Sequence, residues 1–544
     1  MKILVGNAWP FANGSLHIGH IAALLPGDVL ARYHRRKGDE VYFVSGSDCH
    51  GTPIMLKARA EGKSPYDTSG FYHREFVECF NKLGFSYDMY GETTSDTHKN
   101  FVADFHKTMY ESELIYENTA PQAYCGSCGD FLADRYVVGL CPDCGAPAKG
   151  DQCDACGKML EPETMKDPKC AVCGDTPIFK DTTHLYVAIS KLEKQLTVIA
   201  DARPNWRKNA TAFTRKYIGE GLRDRALTRD LKWGIPVPRE GYEAKTIYVW
   251  AENVLGYLSM SKAAAEERGE NFDELWGEGA RHYYVHGKDN IPFHSIILPA
   301  LLSAHGGVSG KDWHMPDEMV SSEYMTLEGK KISTSNNWAV WINDIVDRYD
   351  PDSLRYFFIS NGPERRDTDF SWREYLNSHN GELLGAYGNF INRTLAFIYK
   401  YFDGTVPDGA PDIDIIKRIE TLYPETGAMI ESGRFKEALD MIFEFVRSGN
   451  KYFDAKEPWL TRTGDLSSCH TTLYNCVQMI ANLSILLEPF LPFSSAKVMQ
   501  WLGVEAGGRA PVSIPAGFII PAPEILFARL DKKIVAEETA AIGK

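Results

Sequence analysis

The chain has no continuous run of about 18 apolar residues, the length a helix needs to cross a bilayer, and this excludes a membrane-spanning protein. Its N-terminus, MKILVGNAWPF, also lacks the unbroken apolar core and small-residue cleavage site of a signal peptide, because Asn7, Pro10 and Asn13 interrupt the stretch. A cytoplasmic protein is expected. Positive charge is in deficit: 59 Lys and Arg against 73 Asp and Glu give a formal net charge of -14. That balance argues against non-specific nucleic-acid binding, which rests on neutralising phosphates. It leaves room for a local basic track, for which residues 32–38 (RYHRRKG), 203–209 (RPNWRKN) and 214–217 (TRKY) are candidates. Cysteine is sparse outside one stretch. Eight of the twelve fall between 125 and 173, while Cys49, Cys79, Cys469 and Cys476 are scattered and read as buried thiols.

At 544 residues the chain exceeds what one hydrophobic core sustains, roughly 250 to 300 residues, so at least two domains are expected. Residues 2–8 read as a buried strand, Leu16 to about Lys37 as a helix ended by Gly38, and 40–48 as a second strand that opens into another helical segment. Such alternation builds an α/β fold with a parallel sheet, whose ligands bind at the carboxyl ends of the strands. That rule brings Ala8 to Asn13 beside Ser47 to His50. The alternation stops from about 118 to 183, in Cys-, Gly-, Pro- and Asp-rich sequence, and returns at TIYVW (246–250) and RHYYVHG (281–287). The sheet domain is therefore split by an insertion. A hairpin is expected around Glu328 and Gly329. From about 360 onward, long amphipathic stretches predict a helix bundle, with an irregular tail at 503–525.

Three patterns carry chemistry. In the first, Asn13 to His20 (NGSLHIGH), His17 and His20 share a face in the first helical turn, where free N–H groups and the helix dipole favour a phosphate. Gly19 between them lets a flat ring lie against the backbone. The second is Gly329-Lys330-Lys331-Ile332-Ser333-Thr334-Ser335, a loop whose lysines and hydroxyls can close over a polyphosphate and stabilise the charge of a departing pyrophosphate. The third is four Cys-x-x-Cys-Gly turns: Cys125/Cys128, Cys141/Cys144, Cys153/Cys156 and Cys170/Cys173. Eight thiolates in this spacing make two closed tetrahedral zinc sites, with consecutive or nested pairing both open.

The first two patterns resemble the HIGH and KMSKS motifs of class I aminoacyl-tRNA synthetases, at 17–20 and, as KISTS, at 331–335. The resemblance narrows to methionyl-tRNA synthetases of the two-zinc-knuckle type over nearly the whole chain. It runs through AWPFANGSLHIGH (8–20), SGSDCHGTPIMLKA (45–58), the cysteine-rich insertion, YVWAENVLGY (248–257), HGKDNIPFHS (286–295), DPDSLRYFF (350–358) and KEPW (456–459). It implies a split Rossmann-like catalytic domain (1–117 and 226–320) and a connective insertion (118–225, with the knuckles at about 120–183). A loop-bearing, stem-contact region (321–360) and an anticodon-binding helical domain with its tail (361–544) would follow.

The function implied is ATP-dependent activation of L-methionine to methionyl-adenylate and its transfer to tRNA(Met), initiator included, by a monomer. Residue by residue, the resemblance assigns His17, His20 and Lys331 to catalysis. Together with Gly19, Gly287, Asp289, Ser333 and Thr334 they would bind ATP, with Mg²⁺ on its phosphates. Methionine would meet Ala8, Trp9, Phe11, Asp48, Arg229, Trp250, Asn253, Tyr257 and His294, where aromatic rings suit a polarisable thioether and the Asp48 carboxylate suits the ammonium. Comparison with single-zinc members implies nesting: an inner site of Cys141, Cys144, Cys153 and Cys156 within an outer one of Cys125, Cys128, Cys170 and Cys173. Asn389 and Arg393, four apart on one helix, and Pro458-Trp459 correspond to positions that read the anticodon.

Three departures from the family pattern stand out. Thr334 replaces the second KMSKS lysine, for which Lys330 can substitute, Phe11 replaces a tyrosine, and Asn253 with Val254 replaces an Ala-Pro-like pair. Two other readings compete. One is a ligase for a different apolar amino acid, which the absence of a large editing insertion disfavours. The other is an RNA-binding relative without catalysis, hinted at only by Thr334.

Overall fold

The computed structural model describes residues 1–544 except 133–135, 151, 152, 154, 157, 159, 335 and 506. Two expected features, Ser335 of the second loop and Gly157 of the third cysteine turn, lie outside the described residues. The central sheet has five parallel strands, β1 (Lys2–Asn7), β2 (Glu40–Ser47), β3 (Met89–Glu92), β4 (Arg281–Gly287) and β5 (Glu318–Ser322), in the order β5-β4-β1-β2-β3. The chain winds outward from β1 in one direction, then returns after the insertion and winds out in the other. Ligands in such sheets sit at this reversal, here the carboxyl ends of β1 and β4. Alternate residues feed two cores: Ile3, Val5, Val41, Phe43, Tyr283 and Val285 face one, and Leu4, Tyr42, Val44 and Tyr284 the other. Burial on both faces explains why these strands read as apolar runs without polar alternation.

One expected strand is corrected. In TIYVW only Thr246–Ile247 is extended, paired antiparallel with Thr228–Arg229, and a helical turn starts at Val249. β-branched and aromatic residues suited a strand, but their burial comes from the cleft wall and not from the parallel sheet. The apolar-run test is corrected too. The helical stretch Lys288–Ser309 is long and apolar enough, by length and composition, to cross a membrane. Pro292, His294 and Ser295 hide it from a search for continuous runs, and Ile296, Leu298 and Leu301 pack in the core.

Most cations of the basic segments are engaged within the protein. Arg32, Arg35, Arg36 and Lys37 are paired with Asp28, Asp88, Glu488 and Glu431 at 2.8, 2.7, 2.9 and 2.6 Å. Arg203 and Arg207 donate to the Pro316 and Gly433 carbonyls at 3.0 Å each, and Arg215 pairs with Asp201 at 3.0 Å. Cationic side chains scattered through an acidic protein find carboxylates and carbonyls nearer than any ligand.

The helix α1 (Ile18–Lys37), stopped by Gly38 at φ 89°, links the sheet to the bundle. Asp28 and Arg355, both wholly buried, pair at 2.7 Å, and the guanidinium also donates to Leu83, Pro489 and Phe490 carbonyls. Burial alone would raise the Asp28 carboxyl; Arg355 and Arg32 outweigh it and hold it down to about 2. Removing either partner would leave an uncompensated buried charge.

The insertion begins as a two-stranded stalk, Ile115–Cys125 against Ile178–Val187, with the cysteine turns at its tip. The expected hairpin is Met325–Leu327 against Lys330–Lys331, with Glu328 at φ 47° and Gly329 at φ 75°, as a two-residue turn of this hand requires. Beyond it lies the bundle. A π-helical stretch, His379–Gly388, runs into Asn389–Tyr401, followed by Ile413–Glu431, Phe435–Lys456, Pro458–Gly464, Leu466–Leu487 and Pro492–Leu502. The expected irregular tail follows, and Lys533–Ala541 closes the described chain as a helix.

Candidate functional site

His17 caps α1: its Nδ1 accepts the Gly19 N–H at 3.1 Å, while the His17 N–H is accepted by His20 Nδ1 at 3.1 Å. The two rings stack with centroids 3.8 Å apart. Burial, and for His17 the neighbouring His20, keeps both neutral, His17 well below its ordinary value and His20 at about 4. A neutral imidazole whose Nδ1 accepts carries its proton on Nε2, so the reciprocal cap sets two Nε2–H donors beside the helix N-terminus. A Cβ at Gly19 would crowd the His17 ring at 3.0 Å and touch Ile332 at 3.5 Å, so a larger residue there would have to displace the imidazole.

Ile332 belongs to the second motif. The loop's base is tied to α1 by Ile18 N–H to Val340 O at 3.1 Å and Ile342 N–H to Leu16 O at 2.8 Å. Ser333 and Trp338 exchange backbone hydrogen bonds of 2.9 Å at its neck. Lys331 and Thr334 are exposed. Lys330 is exposed too, with its ammonium 4.5 Å over the Trp338 ring.

Between the two halves of the sheet domain lies a cleft lined by Phe11, Arg229 and Trp250 together with His50, Thr52, Trp233 and Tyr248. Trp250 stacks on Phe293 at 3.7 Å and meets Phe11 edge-on at 5.6 Å. The Arg229 guanidinium lies 3.7 Å over Tyr248 and donates to the Ala226 and Thr228 carbonyls. Asp48 is buried behind this wall. His50 N–H donates to its Oδ1 at 3.2 Å, and its Oδ2 has no protein partner. Burial first, and Glu252 second, push its carboxyl well above the usual carboxylate range. The same cluster holds His50 Nδ1 2.6 Å from Glu252 Oε1, and the Glu252 Oε2 and Asn253 Nδ2 atoms are buried without partners. Unsatisfied polar atoms gathered in one buried place mark a site shaped for something polar that binds there.

His294 sits on a π-helical turn, Phe293–Ile297, whose extra residue widens the helix. Its Nδ1–H donates to Asn290 O at 2.8 Å, which leaves Nε2 to accept Tyr257 O–H at 2.8 Å. Burial holds this imidazole neutral, at about 4. Gly287 ends β4, and Asp289, just beyond, accepts Tyr324 O–H. Ala8 is bonded through its N–H to Val285 O at 2.9 Å, across the reversal between β1 and β4. Trp9 is different: its ring is gripped between Gly46 and Gly256, each too close to carry a Cβ, and it belongs to the core and not to the cleft lining. His50, Glu252, Trp233 and Phe293 were missed from the sequence. His50 and Phe293 lay inside recognised segments, but nothing local linked His50 to Glu252.

The cysteines form two groups, Cys125, Cys128, Cys170 and Cys173, and Cys141, Cys144, Cys153 and Cys156, with all sulfurs of a group within 4.8 Å of one another. Zinc at about 2.3 Å from four sulfurs would set them about 3.8 Å apart. The cross-pair separations are 3.4 and 3.9 Å in the first group and 3.8 and 3.6 Å in the second, so both fit. The pairing is nested. Gly129, Gly145 and Gly174 have φ of 71°, 72° and 81°, which is why glycine follows the second ligand.

On the bundle, Asn389 is exposed and donates to Asn450 Oδ1 at 3.1 Å, and Arg393 pairs with Asp454 at 2.6 Å. Trp459 is exposed next to them, with Phe453 between it and Arg393. Pro458 is buried. It opens the helix after Glu457, which turns the chain at φ 43° and so sets the angle at which Trp459 projects.

Comparison with known proteins agrees with this architecture. Residues 3–395 match the family described as tRNA synthetases class I (M), and 412–534 match the anticodon-binding domain of tRNA ligases. The chain is 51% identical over 545 residues to methionine–tRNA ligase 1 of Alkaliphilus oremlandii, covering 100% of both. It is 51% identical to the methionine–tRNA ligase of Bacillus cereus, covering 99% of this chain and 98% of that one. Among solved structures it is similar to Mycobacterium tuberculosis methionyl-tRNA synthetase bound by methionyl-adenylate, with a TM-score of 0.82 at 21% identity, over 97% of this chain and 100% of the other.

Proposed function

The chain belongs to the class I methionyl-tRNA synthetases, and from that premise we propose how its own residues divide the work of a methionine–tRNA ligase. In the first step a methionine carboxylate oxygen attacks the α-phosphorus of ATP and pyrophosphate leaves, giving methionyl-adenylate. In the second, a hydroxyl at the tRNA 3′ end attacks the methionyl carbonyl and AMP leaves. Neither step needs a protein nucleophile, so the residues act by positioning and electrostatics.

The observation that carries this reading is the junction of the two motifs, where the segment that follows the 330–334 loop is hydrogen-bonded through Val340 and Ile342 to Ile18 and Leu16 at the N-terminus of α1, and Ile332 of the loop lies against Gly19. His17 and His20 offer Nε2–H donors to phosphate oxygens without bringing charge of their own, and Lys331 brings the charge from the exposed loop. Ser333 and Thr334 add hydroxyls, while Gly19, Gly287 and Asp289 take the nucleoside side. Mg²⁺ accompanies ATP and neutralises its phosphates. The methionine ammonium goes to Asp48, whose orphaned Oδ2 it satisfies, with Asn253 adjoining. Phe11, Trp250 and Phe293 form the thioether wall, Tyr257 and His294 close the polar floor, and Arg229 faces the carboxylate from the cleft rim. Ala8 contributes backbone, and Trp9 supports the wall from behind. Zinc in the two Cys₄ groups would cross-link the tip of the insertion. Asn389, Arg393 and Trp459, held by Pro458, meet the unpaired anticodon bases. Twelve cysteines without a disulfide suit the reducing cytoplasm.

The test is ATP–pyrophosphate exchange by the pure protein with a panel of amino acids. Methionine alone should drive it. Exchange with a different apolar amino acid would establish the competing ligase, and exchange with none would overturn the catalytic reading.

A further inference from the structure

Asn389 and Arg393 are followed, at the same four-residue interval along the helix Asn389–Tyr401, by Phe397 and Tyr401, so one face carries all four. From Trp459 a ladder of rings runs along this face: Trp459 to Phe453 at 6.1 Å, Phe453 to Phe397 at 6.3 Å and Phe397 to Tyr401 at 4.6 Å. The ladder has an exposed ring at each end, Trp459 at 42% and Tyr401 at 39%, with the buried Phe453 and the half-buried Phe397 between them. Each half carries a guanidinium over a ring, Arg393 4.1 Å from the Phe453 centroid and Arg462 4.2 Å from the Tyr401 centroid.

The two arginines are engaged differently. Arg393 is paired with Asp454, whereas no carboxylate pairs with Arg462 among the described residues, and its buried Nε has no hydrogen-bond partner. Arg462 also stands three residues after Trp459 on the same short helix, so it and Trp459 share a side. The Lys400 ammonium also lies 4.9 Å from the Tyr401 centroid. A tyrosine ring flanked by cations with part of its surface open to solvent is a platform for a flat, unpaired base once the flexible lysine gives way, and a guanidinium free of carboxylates suits the phosphate that follows it.

We propose that Tyr401 and Arg462 form a second stacking platform, which takes an unpaired nucleotide of the same tRNA loop next to the triplet met by Asn389, Arg393 and Trp459. The proposal rests on the reading that Trp459 binds the anticodon. Its occupant is a continuation of the strand already on this face: the ladder is continuous from Trp459, and its cations complement a phosphate backbone.

The experiment measures charging of full-length tRNA(Met) by the whole protein and by the Tyr401→Ala, Tyr401→Phe, Arg462→Ala and Trp459→Ala variants. Methionine-dependent pyrophosphate exchange on each preparation checks that the catalytic half is folded. Tyr401→Ala should lower kcat/KM for tRNA by about 10-fold, through KM, as loss of one stacked base does, while Tyr401→Phe retains it. A set of tRNAs, each abasic at one unpaired loop position, then identifies the base. With one position outside the triplet removed, the Tyr401→Ala penalty should vanish. If the penalty stays the same with every abasic tRNA, or if Tyr401→Ala charges as well as the parent while Trp459→Ala fails, the second platform is wrong and the anticodon reading stands. If Trp459→Ala charges normally, the anticodon reading itself falls, and this proposal with it.

Discussion

In the cleft, Trp250 is stacked face to face on Phe293 and the imidazoles of His17, His20 and His294 are neutral. On the bundle, Trp459 and Tyr401 stand exposed, with guanidinium groups over Phe453 and Tyr401. The cleft keeps its imidazoles uncharged. It has desolvated its polar groups and leaves specific atoms, such as Asp48 Oδ2 and Glu252 Oε2, to be satisfied by a small ligand of fixed shape. The bundle offers cations and ring faces to a partner that is flexible and already charged. The same residue types, Trp, Tyr and Arg, serve both ends, and burial decides which use they have.

The comparison breaks most visibly at Asp48. Asp48→Asn should cut methionine-dependent exchange by at least about 30-fold, since losing one partner of a buried charged hydrogen bond costs roughly 2–5 kcal/mol. Filter binding of tRNA should stay within about twofold of the parent; a matching loss in tRNA affinity would mean that the two ends are not separate. Lys331→Gln tests the exposed charge that we propose acts on the phosphates. It should lower kcat for exchange by roughly 30-fold with little change in KM for methionine, because the charge acts on the departing pyrophosphate. A pure rise in KM would instead place Lys331 in ground-state binding.

The last effect is on stability, and it is read as a slope. Burial depresses the native values of His20 and His294 to about 4, so below pH 6.5 the unfolded chain takes up protons that the native state refuses. Stability should therefore fall as pH drops from 6.5 towards 4, by up to about 1.4 kcal/mol per pH unit for each such histidine, and be insensitive to them above 6.5. Urea titrations of His20→Gln and His294→Gln should each show a shallower acid limb than the parent. An unchanged slope would mean that these imidazoles are not neutral in the native protein.

Much of the site was legible in the chain. A strand ending at Asn7, the histidines of a helical first turn, the Glu328-Gly329 hairpin and the four Cys-x-x-Cys-Gly turns all depend on residues within a few positions of one another. The surroundings of the basic segments were not legible, because charge along a sequence does not reveal the carboxylates that fold against it, as Glu488 does against Arg36. The packing of Trp9 was hidden in the same way: nothing near it shows that Gly46 and Gly256 close on its ring.

By itself, the sequence determined the turns, caps, glycine positions and ligand spacings, because these follow from local sterics and from short lengths of covalent chain. Only the tertiary structure decided which cysteine pairs nest, that His50 meets Glu252 from 202 residues away, and that Arg462 lies over Tyr401. Such contacts arise when separate elements are buried together, and no property of either residue's own neighbourhood specifies its partner.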